Sequence, residues 1–134
     1  MFVIMILSGF LSTMNVWVNQ WNHMRLSLND LYMTLLMTGW MFVFMGFFYQ
    51  HLLSTLLGLL LVGVSLYCIR TQVFITPSQY LTSMIPHHSM AIFMTNKLTQ
   101  RTDLPSNETL QTLLHNIQNV QEKEIKTMIQ LLND

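Results

Sequence analysis

The sequence predicts an all-α protein: three transmembrane helices over residues 1–70, then an extramembrane helical hairpin over residues 71–134. Two observations predict it. The first is the distribution of charge. Residues 1–70 contain only Arg25, Asp30 and Arg70, and every other charged side chain lies between Lys97 and Asp134. Charged residues make up 9% of the chain and hydrophobic ones 51%, against roughly 25% charged in an average soluble domain. The second is periodicity. The apolar residues come in long runs or at helical spacing, and no stretch alternates as a strand would.

The first span is expected over Met1–Val18, diluted by Ser8, Ser12, Thr13 and Asn15. Its start, "MFVIMILSGF", lacks the positive n-region of a signal peptide, so it reads as a retained anchor. The other two spans are expected over Leu31–Tyr49 and Leu52–Ile69. Each holds about 18 residues, roughly 27 Å of helix against a hydrocarbon core of about 30 Å. Trp17, Trp21, Tyr32 and Tyr49 fall near the expected ends, where amphipathic rings favour the interface. Only Gln50 and His51 separate the last two spans, which predicts a tight antiparallel pair. Gly39, Gly46, Gly58 and Gly63 would let the two backbones approach closely. Arg25 and Arg70 share one side of this topology, so the 19–30 loop and the C-terminal hairpin are expected on the cytoplasmic or interior face of a multi-pass protein.

Beyond Arg70, Thr76-Pro77-Ser78-Gln79 has the form of a helix start, with Thr as N-cap and Pro at the first helical position. That helix should run to about Gln100. A turn follows, with Pro105 and the capping candidates Asp103 and Ser106. The last helix should cover about Asn107 to Leu132. A two-helix hairpin of this size buries little surface alone, so a second copy or a partner hairpin is expected to complete a four-helix bundle.

The apolar stripes of these two helices contain polar residues at their middles. On the first, "MIPHHSM" puts His88 near the centre of the stripe and His87 at its edge; on the second, Gln121 and Glu124 interrupt it. An antiparallel hairpin brings those middles side by side, so His88, Gln121 and Glu124 should meet, with Met84 and Met128 in reach. Pro86 cannot donate to the carbonyl of Thr82, so a kink or bulge is expected just before the histidines. Three readings fit: a polar network that fixes helix register, a metal site, or a proton relay. Enzyme motifs are missing: there is no E-x-x-H, H-E-x-x-H, G-x-S-x-G or phosphate-cradling glycine loop. No Lys/Arg cluster offers a track for nucleic acid, and the single Cys68 excludes an intrachain disulfide.

The stretch "YLTSMIPHHSMAIFMTNKL" resembles the signature of the domain-of-unknown-function 305 family, M-I-P-H-H with a downstream Ala and Met. Ile117, Gln121, Glu124, Ile125 and Met128 match that family's I, Q-x-x-E-I and M spacing, so the resemblance covers about residues 79–132. The membrane half is similar to that of multi-span members. The resemblance implies a ferritin-like helical fold, and copper or silver handling as in some members. Two departures reduce what it carries. The motif occurs once here where many members repeat it, and Phe93 stands where an acidic residue is common.

Imidazole with thioether suits soft ions such as Cu(I) or Ag(I), and a carboxylate helps hold Cu(II). The expected ligands of a copper ion are thus His87, His88, Met84, Gln121, Glu124 and Met128. Met33, Met37, Met41 and Met45 add a thioether stripe along the second span, read chiefly as packing or lipid contact. His51 and His115 read as exposed bystanders. The alternative to metal binding is a structural or assembly subunit of a membrane complex.

Overall fold

The computed structural model describes residues 2–102 and 107–133, which contain five α-helices and no strand. Asp103, Pro105 and Ser106, the expected turn and capping residues, lie outside the described residues. The chain divides into two units: residues 1–13 with 27–76, and residues 14–26 with 77–134.

The first unit holds α1 (Phe2–Leu11), α2 (Leu28–Phe48) and α3 (Leu52–Thr71). Helix α2 starts where Ser27 donates both its backbone N–H and its hydroxyl to Asp30 Oδ2, each at 2.9 Å. The only acidic residue of the apolar half therefore serves as a helix cap. At the other end Gln50 takes the left-handed conformation (φ 53°) and turns the chain. His51 then accepts the Ser54 N–H on Nδ1 at 3.2 Å, capping α3. The antiparallel pairing is close because glycines line it. A Cβ on Gly58 would lie 2.7 Å from the Val43 nitrogen and 2.8 Å from the Gly39 carbonyl oxygen, and one on Gly39 would lie 2.9 Å from Val62. Gly63, expected in the same seam, faces open space. The Tyr32 hydroxyl donates to the Val73 carbonyl at 2.6 Å and ties the start of α2 to the end of α3.

Two helices, α2 and α3, are long and apolar enough to cross a membrane, and only 28% and 17% of their apolar windows are buried. The expected first span is corrected. Helix α1 has ten residues, about 15 Å, and gives way to a 3-10 turn at Met14–Trp17. The hydroxyls and amide that dilute this stretch end the helix. The Thr13 hydroxyl donates to the Phe10 carbonyl at 3.3 Å. Asn15 turns away to hold Arg25, donating to its carbonyl and accepting its N–H, both at 2.8 Å. Met33, Met37 and Met41 of the thioether stripe are exposed on the surface of α2.

The second unit holds α4 (Pro77–Thr99), α5 (Glu108–Asn133) and the 14–26 segment with its 3-10 turns. Ile85, Ile92, Ile125 and Met128 form its buried core, flanked by Leu81, Met84, Ile129 and Leu132. Helix α4 starts at Pro77 as expected and is helical throughout, Pro86 included. Asn107 Oδ1 accepts the Leu110 N–H at 3.0 Å and so caps α5. Residues 14–26 dock on the hairpin through Ser89, which is fully buried. Its Oγ accepts the Asn19 N–H at 2.8 Å and hydrogen-bonds His23 Nδ1 at 2.9 Å. Asn96 extends the same join, bonding Asn19 at 3.3 Å and accepting the Gln118 amide.

Candidate functional site

The stripe argument expects His88 and Glu124 to meet, and in the structure they do. Nε2 of His88 lies 2.9 Å from Glu124 Oε2, and Nδ1 lies 2.8 Å from the Met84 carbonyl oxygen one turn back. A carbonyl oxygen can only accept, so Nδ1 carries the hydrogen. In neutral imidazole that leaves Nε2 as a lone pair. A lone pair and a carboxylate at 2.9 Å repel unless something positive sits between them. A proton satisfies this, and so does a metal ion. With metal–ligand bonds of about 2.0–2.1 Å at the tetrahedral angle, two ligands stand about 3.3–3.4 Å apart, so a shared ion would need the two groups to part by a few tenths of an ångström. The Met84 carbonyl also fixes ring orientation, as outer partners of metal-bound histidines do.

The other expected ligands take varied places. Met84 and Met128 pack at the hairpin core, Met128 buried and Met84 beside it. Gln121 lies one turn before Glu124 on α5, and its Oε1 is buried with no hydrogen-bond donor. Leaving an acceptor so costs on the order of 1–3 kcal/mol, so this oxygen has unused capacity for a donor or a cation. His87 is solvent-exposed, its ring 5.9 Å from that of His88 at 67°. No group of three or more His, Cys, Asp or Glu close enough to hold a metal occurs among the described residues. Any ion held by His88 and Glu124 must complete its shell from thioether, amide or a second chain.

Sequence reasoning missed a second polar cluster. His23 is buried at the end of its 3-10 turn and lines a cavity of about 290 Å3 with His115, Asn96, Gln118 and Glu122. The residues come from three distant parts of the chain, and no periodicity links them. Burial lowers the His23 pKa from 6.5, the Arg25 charge lowers it further, and the Glu122 carboxylate opposes both. Because the folded value lies below the unfolded one, neutral His23 favours the docked state. That contribution is full above about pH 6.5 and is lost as pH falls through the depressed value. We expect hydrogen exchange in residues 14–26, corrected for intrinsic rates, to accelerate on acidification from pH 7.5 to 5. A His23→Gln variant should lose this pH dependence.

An all-helical chain in which a histidine of M-I-P-H-H pairs with the glutamate of Q-x-x-E-I is a recognisable type, and the comparisons agree. The chain belongs to the family described as Domain of unknown function (DUF305), whose model matches residues 76–134. It is also similar to Uncharacterized protein L153 of Acanthamoeba polyphaga mimivirus, with 42% identity over 135 residues, 95% of this chain and 85% of that one. That likeness extends through the apolar half, beyond the family match. No solved structure matches the chain.

Proposed function

We propose that this protein is a membrane-anchored binder of soft, copper-type ions, with His88 and Glu124 as the nucleus of the site. The observation that carries this reading is the 2.9 Å approach of His88 Nε2 to Glu124 Oε2, with the ring held from behind by the Met84 carbonyl on Nδ1. Met84 and Met128 would supply sulfur, Gln121 its orphaned oxygen, and exposed His87 a ligand to an ion shared with a second copy. Such sharing fits a ferritin-like four-helix bundle built from two hairpins. The anchor reading rests on α2 and α3, whose apolar side chains largely face outward. A two-span hairpin leads both its flanking segments from one end, and the sparse positive charges Arg25 and Arg70 favour the cytoplasmic or interior side for them.

The competing reading is a helix lock with no ligand. The pairing itself favours it, since a single proton is enough for the two groups to satisfy one another. Its energy argues against it. The Glu124 side chain is 51% exposed, and pairs so exposed contribute about 0–1 kcal/mol. A lock that weak is a poor reason to place a histidine on a buried stripe.

The test is titration of Ag(I) or Cu(I) into the full chain in detergent, following metal content and proton release together. Saturable stoichiometric binding is expected, with proton release wherever the metal displaces a proton from a ligand. A chain that binds none sets the metal reading aside and leaves the structural one.

A further inference from the structure

Residues 14–26 send Asn19 and His23 to Ser89 and Trp17 to Phe93, yet Val16, Trp21, Met24 and Leu26 stay exposed. At 84%, Trp21 is the most open large apolar side chain among the described residues. The neighbouring helices fix where this segment begins and ends. Helix α1 runs antiparallel to α2: the Phe2 ring stacks on Phe42 at 6.1 Å, and Gly9 faces Thr34. The chain therefore leaves α1 and enters α2 at the same end of α2. Asn15 holds both backbone groups of Arg25 at 2.8 Å, which closes the segment into a loop with its ends together. Leu26 comes two residues before Leu28, the first residue of α2, and so stands within about 7 Å of that end. The segment has no carboxylate and one cation, Arg25. Its exposed apolar side chains are interleaved with the exposed amides Asn19, Gln20 and Asn22.

We propose that residues 14–26 lie in the interfacial layer of a phospholipid bilayer, with Trp21, Met24 and Leu26 at the boundary between headgroups and acyl chains. The inference rests on reading α2 as a membrane span and goes beyond it, because a span requires no lipid contact outside itself. Helix α2 is roughly 31 Å long, so its first residue falls at the edge of the hydrocarbon and brings the base of the loop to that layer. The mixed composition selects the occupant. The interface is wet and apolar at once, which suits an indole and a thioether beside amides. Hydrocarbon would strand the amides, and water would leave Trp21 uncovered. A partner helix would need a continuous apolar stripe, which Asn19, Gln20 and Asn22 interrupt.

The experiment places the full chain in phosphatidylcholine vesicles in two single-tryptophan forms. Joint Trp17→Phe and Trp40→Phe substitution leaves Trp21 as the reporter; joint Trp17→Phe and Trp21→Phe leaves Trp40, near the middle of α2. The phenyl ring in Trp17→Phe can keep the edge contact with Phe93. Trp21 fluorescence should be quenched more by lipid brominated near the headgroup end of its acyl chain than by lipid brominated at mid-chain. Acrylamide in the water should quench it several-fold less than it quenches free tryptophan amide. Trp40 should respond most to the mid-chain bromine. If Trp40 is quenched by the lipids and Trp21 is not, the proposal is overturned and the span stands. That holds whether acrylamide reaches Trp21, as from open water, or does not, as beneath a second copy. Trp21 quenched best at mid-chain also overturns it, since the segment would then lie inside the hydrocarbon. If neither tryptophan responds, the span reading fails and this proposal fails with it.

Discussion

Joint replacement of His87 and His88 by alanine is expected to abolish stoichiometric Cu(I) or Ag(I) binding and to leave the fold nearly unchanged. The two effects separate because of where the side chains sit. His87 is exposed and Glu124 half-exposed, so removing the imidazoles strands no buried charge; the cost, roughly 0.5–3 kcal/mol, comes from the packing of the His88 ring, whose side chain is 15% exposed. The core beneath, Ile85 and Ile125 with Met128, is untouched. Glu124→Gln keeps the shape and one oxygen but removes the negative charge, and affinity should fall roughly ten- to hundredfold, as when a supporting metal partner is lost. Metal content after gel filtration, read beside circular dichroism melting, checks both. If the double variant binds silver as tightly as the parent, the site lies elsewhere.

Gly58→Leu should do the reverse, destroying structure in the α1–α3 unit. A Cβ at that position already falls 2.7 Å from the Val43 nitrogen and 2.8 Å from the Gly39 oxygen. Both obstacles are backbone, so no rotamer change relieves them, and α2 and α3 must separate. Overpacking of this kind costs about 1–3 kcal/mol in cores that can shift, and more is expected here because isobutyl must fit where a hydrogen sits. Gly63→Leu, by contrast, enters open space and should be silent. Thermal melting followed by circular dichroism in detergent reads the difference: the Gly63 variant should melt with the parent and the Gly58 variant well below it.

The sequence foretold the hairpin and its central pair well. Pro77 and the periodic apolar positions set α4, and two stripes interrupted at mid-length implied that His88 would face Glu124. Those signals are local, repeated every three or four residues, and so survive without tertiary knowledge. What escaped is what depends on distant partners. The apolar run from Met1 read as a span because hydropathy averages over Ser12, Thr13 and Asn15, whereas the backbone responds to each. The Asn15 amide reaches Arg25, which no window over residues 1–18 contains. His23 belongs to no motif, and its partner is Ser89, 66 positions away. A serine inside "MIPHHSMA" gives no sign that it receives another segment.

That serine joins two pieces of chain at a single atom. Its Oγ meets both the Asn19 amide and the His23 ring, so neither bond can be lost without altering the other. The 14–26 segment should therefore behave as a latch with Ser89 as its main keeper, backed by Asn96. It is either closed along its length or sprung, with few half-open forms between. Trp17 rides on that latch, so its edge-to-face contact with Phe93 should open and close with it. Because the docked form favours a neutral His23 ring, acid should spring the latch.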